Sequence, residues 1–113
     1  MANADIDAVA DIAMDANQQF SDAHKGASTQ VGAISNTLRD MNIAADAVSI
    51  DDMHSGKRLA LIILDQSPGM VGIGIGQKET VGDYELLGQV KLAELEASRI
   101  VEILEARFTL QVH

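Results

Sequence analysis

The chain has 113 residues, and 47% of them are hydrophobic while 22% are charged. That size and balance suit one folded domain with one core, and are too small for two. Eight Lys and Arg against seventeen Asp and Glu give a net charge of −9, a field that repels nucleic-acid phosphates and anionic membranes and favours a basic protein partner. There is no cysteine, which excludes disulfides, thiolate nucleophiles and Cys-ligated metal centres.

The N-terminus, MANADIDAVADIAMDA, has no basic region and carries Asp5, Asp7, Asp11 and Asp15, unlike a secretory signal. No apolar run approaches the ~18 residues of a membrane span, so a cytoplasmic location is expected. From residue 4 to residue 22, Ile6, Val9, Ala13, Ala16 and Phe20 recur at steps of three and four, the spacing of an amphipathic helix. Asn3 is its expected N-cap, and the early aspartates suit the positive end of the helix dipole.

After Gly26 and Ser28, the spacing of Val31, Ile34, Leu38 and Met41 predicts a second helix. Ser28 is its candidate cap, and Asn42 falls where a left-handed residue would end it. From Ala47 the period becomes two, with Val48 and Ile50 alternating with Ser49 and Asp51 before the turn residues HSGK. Arg58 to Asp65 follows, and its aliphatic run from Leu59 to Leu64 is apolar on both faces, as expected of a central strand.

Pro68 and Gly69 supply the fixed and the positive φ of a type II turn, and MVGIGIGQ returns as the next strand. With a loop of two or four residues, Ala60, Ile62 and Leu64 share a face with Val71, Ile73 and Ile75. The opposite face then carries Leu59, Leu61 and Ile63 beside Gly72, Gly74 and Gly76. A three-residue loop puts the glycines beside Ile62 instead. Either way one side of the strand is nearly bare, a groove open to a helix, a second subunit or a ligand.

Residues 84–92 alternate as a fourth strand, with a helix from about Glu85 as the competing reading. Ala93, Ala97, Ile100, Val101, Leu104 and Phe108 then form one helical face, and TLQVH is a tail or short edge strand. The expected architecture is α+β in a single domain. Residues 1–46 form two N-terminal helices, 47–92 a three- or four-stranded antiparallel sheet, and 93–108 a C-terminal amphipathic helix packed on it.

The glycine run fails as a phosphate loop. A dinucleotide fingerprint needs G-x-G-x-x-G opening a helix, whereas these glycines recur every second residue and a polar segment follows; no Gly-Lys-Ser/Thr occurs either. His24, His54 and His113 lie far apart in sequence and read as solvated residues rather than metal ligands. Ser67, in QSPG, is a turn residue and not a nucleophile elbow. The methionines read as core filler. Catalytic, metal-binding and cofactor-binding residues are therefore all assigned as none.

A sheet apolar on both faces needs two covers, and the alanine-dominated N-terminal stripe is thin, so a homodimer is expected. The function expected is a small acidic protein–protein interaction module of adaptor, chaperone or inhibitor type. The candidate interface or groove is Ala60, Ile62, Val71, Ile73, Ile75, Gly72, Gly74 and Gly76. In physical type alone this resembles the type III secretion chaperones and small phage-encoded inhibitors of bacterial defence, with no shared motif. The alternative is a small-ligand binder using the glycine groove or a subunit interface, with Lys57, Arg58, Lys78 and Lys91 as the cations available to an anion. An enzyme ranks last, for want of a catalytic constellation.

Overall fold

Two helices share one face of an antiparallel sheet, and a third, very short helix lies on the other. The computed structural model describes residues 4–80 and 83–108; the expected N-cap Asn3, the TLQVH segment and His113 lie outside them. Elements run α1 (Ala4–Ala23), β1 (Thr29–Ala33), α2 (Ser35–Asp40), β2 (Ala45–Asp52), β3 (Lys57–Leu64), β4 (Met70–Gln77), β5 (Glu85–Lys91) and α3 (Ala97–Phe108), with a 3-10 turn at Leu92–Glu94. The strands form a meander in the order β1-β2-β3-β4-β5, every neighbouring pair antiparallel.

The α+β class, the antiparallel sheet and the C-terminal helix follow the sequence pattern; the strand count, five rather than three or four, does not, and neither does the second N-terminal helix. Its first half is strand β1, where Val31 pairs with Ile50 and Gly32 with Ser49. Only Ser35–Asp40 is helical. The 31, 34, 38 spacing is satisfied by a strand that carries Val31, a junction residue, Ile34, that is buried, and a helical turn and a half that buries Leu38. Backbone pairing with β2 decides between the two, since it satisfies a row of amides that an isolated short helix would leave marginal. The Ile34 N–H donates to the Ala47 carbonyl, and the Ala47 N–H returns a bond to the Ser35 hydroxyl.

Asn42 does end the helix in the left-handed region, at φ 64°. The Ile43 N–H reaches the Leu38 carbonyl and the Asn42 N–H the Arg39 carbonyl, both at about 3 Å, the paired bonds of a Schellman motif. Pro68 and Gly69 likewise form their turn, with Gly69 at φ 86° and the Met70 N–H donating to the Ser67 carbonyl.

The β3–β4 connection leaves five residues, 65–69, between the strands. Its odd length sets the register: Leu61 pairs with Ile73, Ile62 with Gly72 and Ala60 with Gly74. Ala60 and Ile62 therefore share a face with the glycines, and Val71, Ile73 and Ile75 point the other way, among Leu59, Leu61 and Ile63. The face assignment made for an even loop is corrected here, because one residue of loop length inverts every side chain.

The aliphatic face is the main core. Val9, Ala13, Ala16 and Phe20 of α1 and Ile100, Leu104 and Phe108 of α3 pack with Val48, Ile50, Leu59, Leu61, Ile63, Val71 and Ile73. Of the stripe predicted for α1, Val9, Ala13, Ala16 and Phe20 are buried and Ile6 is half-buried, while Ala93 is exposed and precedes α3. Instead of covering one face each, α1 and α3 lie together. Ala13 and Ala16 are fully buried, and their short side chains let α1 approach its neighbours closely.

Candidate functional site

The second face is built from small residues under a thin cover. Ile34 and Leu38 bury Ala45, Ala47 and Ala60, with Ile43, Ile62, Leu64 and Tyr84 at the margin. Arg39 anchors α2, donating two hydrogen bonds of 2.9 Å to Asp65 and one of 3.1 Å to Asp46. Those carboxylates raise the Arg39 pKa further, and Arg39 in turn holds the exposed Asp65 carboxyl below its ordinary range.

The expected glycine groove is filled by this chain's own Tyr84. A Cβ placed on Gly76 would lie 2.6 Å from Tyr84 Cδ1 and 2.8 Å from the Asp83 carbonyl oxygen, and one on Gly74 would lie 3.0 Å from Tyr84 Cβ. Gly72 is looser, its nearest contact being Leu86 at 3.5 Å. The glycines thus seat the residue that leads into β5, and the close approach they permit is to a side chain of the same fold.

Tyr84 also meets a charged pair. Asp51 and Arg58 face each other across β2 and β3, joined by Nε–Oδ1 and Nη2–Oδ2 hydrogen bonds of 2.7 and 3.0 Å, and Arg58 Nη1 lies 3.5 Å from the Tyr84 hydroxyl. Arg58 is only 8% exposed. The Asp51 carboxylate raises its pKa against the opposing effect of burial, so this cation is spoken for. Lys57 donates to the Arg107 carbonyl, and Lys91 pairs with Met70, at the opposite end of β4 from Gln77, which pairs with Lys57. Lys78 follows Gln77 at the Lys57 end, its N–H donating to the Gly56 carbonyl, so Lys91 stands apart from the other cations and Arg58 is held by Asp51.

Beyond Tyr84 the cover stops. A shallow hollow of about 150 Å³ is lined by Ile62, Leu64, Ser67, Met70, Gly72, Leu86 and Gln89. Leu86 stands at its side and is 60% exposed. Of the candidate interface set, Ile62 and Gly72 line this hollow, Ala60, Gly74 and Gly76 lie under α2 or Tyr84, and Val71, Ile73 and Ile75 belong to the opposite core. Leu86 was missed because alternation alone cannot show which strand lacks a cover; its position on the final strand was the available signal.

Comparison with family models, curated proteins and solved structures returns no match. Function therefore rests on the geometry. Three of the methionines read as core filler, Met14, Met41 and Met53, are exposed instead. Two of the histidines, which sequence spacing left unconnected, line one cavity of about 540 Å³ with Phe20, Gly26, Ala27, Asp52 and Phe108. The signal for His24 is its place four residues after Phe20, one helical turn on, where the two rings meet at a tilt of 37° with centroids 4.7 Å apart. Among the described residues, no group of three or more His, Asp or Glu is placed to hold a metal ion, and no helix is long and apolar enough to cross a membrane.

Proposed function

We infer that this chain is a small acidic protein–protein interaction module of adaptor, chaperone or inhibitor type, acting as a homodimer in the cytoplasm. The observation that carries this reading is the exposed Leu86 beside the hollow formed by Ile62, Leu64, Met70 and Gly72. A protrusion next to a depression of similar chemistry is self-complementary under a two-fold axis: each Leu86 enters the partner's hollow, and both thin faces gain a cover. The core face needs no such cover, since α1 and α3 already occupy it.

The net charge of −9 supports a basic partner for the assembled dimer, because like-charged proteins are disfavoured and long-range attraction speeds encounter with a cation-rich surface. Sedimentation equilibrium tests the dimer. Wild-type chain should sediment at twice the monomer mass at micromolar concentration, and Leu86→Asp should be monomeric with an unchanged far-UV spectrum. A wild-type monomer, or a Leu86→Asp dimer, overturns the reading.

A further inference from the structure

The cavity of about 540 Å³ lies on the helical side of the sheet, between the end of α1, the β2–β3 turn and the end of α3, away from the proposed dimer surface. We propose that it binds a small neutral aromatic compound carrying one hydrogen-bonding group, of the phenol or indole class.

Its size falls within the range of small-molecule sites. Phe20 and Phe108 form an edge-to-face pair with centroids 6.4 Å apart and an interplanar angle of 83°, and His24 lies tilted against Phe20. Phe20 and Phe108 are 1% and 6% exposed and give the cavity an apolar floor, while the His24 side chain, 33% exposed, is the ring that a third ring can reach and stack against. Gly26 and Ala27 leave the space open.

The polar atoms restrict the guest further. His24 Nε2 already meets Glu105 at 2.9 Å. Both Asp52 oxygens are engaged, one by the His54 N–H at 3.1 Å and the other by the Ser55 hydroxyl at 2.8 Å. Among the described residues none hydrogen-bonds the His54 ring, which leaves that imidazole to meet one polar group of a ligand. Asp52 in the lining and Glu105 behind His24, within a chain of net charge −9, disfavour an anionic guest.

The test is a nitrogen-15 NMR titration of the full chain with phenol and indole, and with toluene as a probe lacking a polar group. Saturable shifts with Kd below about 1 mM should centre on the amides of Gly26, Ala27, Asp52 and His54. Exposed His54→Ala should weaken phenol by about 3- to 10-fold, the worth of one hydrogen bond, and leave toluene unchanged. Gly26→Leu, at a position with open space around the Cβ and φ outside the left-handed region, should weaken all three probes while the spectrum stays that of a folded chain. The proposal is overturned by shifts that do not saturate, by shifts centred on the Leu86 hollow, by a phenol Kd indifferent to His54→Ala, or by binding indifferent to Gly26→Leu.

Discussion

Tyr84 lies across Gly76 so closely that a single added methyl group would stand 2.6 Å from its ring. Gly76→Ala should therefore destabilise by roughly 1–3 kcal/mol, Gly74→Ala by less, and Gly72→Ala hardly at all. Tyr84→Ala should relieve part of the Gly76 penalty but little of the Gly74 penalty, whose closest contact is the Tyr84 Cβ that alanine retains. Chemical denaturation of the single and double variants measures this; equal costs at the three glycines would remove Tyr84 as the reason for them.

The Asp51–Arg58 pair is nearly buried, so breaking one side leaves a charge with no counterpart. Arg58→Ala should cost about 2 to 3 kcal/mol. Arg58→Met, which keeps much of the packing, with Asp51→Asn should cost less than the sum of the two single changes. A strictly additive cycle in urea unfolding would show that the pair is not coupled.

Ser49 is fully buried, and no described group hydrogen-bonds its hydroxyl. Ser49→Ala should raise stability by about 1 kcal/mol by removing an unpaired polar atom. A lowered thermal midpoint would mean that the hydroxyl is satisfied in solution.

Arg39 holds the Asp65 carboxyl below its ordinary value of 3.8. The contribution of this pair is present above that value and is lost as pH falls through the lower folded-state value. The Asp65 side-chain carbon resonance should titrate below 3.8, and Arg39→Gln should return its midpoint to the ordinary range. Because the pair is exposed, its effect on global stability should be small.

Two chains of charge −9 repel, and added salt screens that repulsion. Self-association through the uncharged Leu86 hollow should therefore tighten between low and high ionic strength. Sedimentation across a salt series checks the sign; weakening with salt would point to an interface held by ion pairs.

Periodicity was enough to read α1, α3 and strands β2 to β4, because each buries an apolar set whose spacing survives in one dimension; β5, whose residues are all exposed or half-buried, stayed open between strand and helix. Composition set the charge, and the special backbone conformations at Asn42 and Gly69 were readable from residue type. Three things were decided only in the folded chain. Whether residues 29–33 form helix or strand depended on β2 lying alongside to take their hydrogen bonds. Which face carries the glycines depended on a loop of five residues, since parity inverts with one. What fills the space over Gly74 and Gly76 depended on Tyr84 returning from the far side of the β4–β5 turn. Local spacing is written along the chain, but the partner of a bare surface is a neighbour in space, and both proposed sites are made of such neighbours.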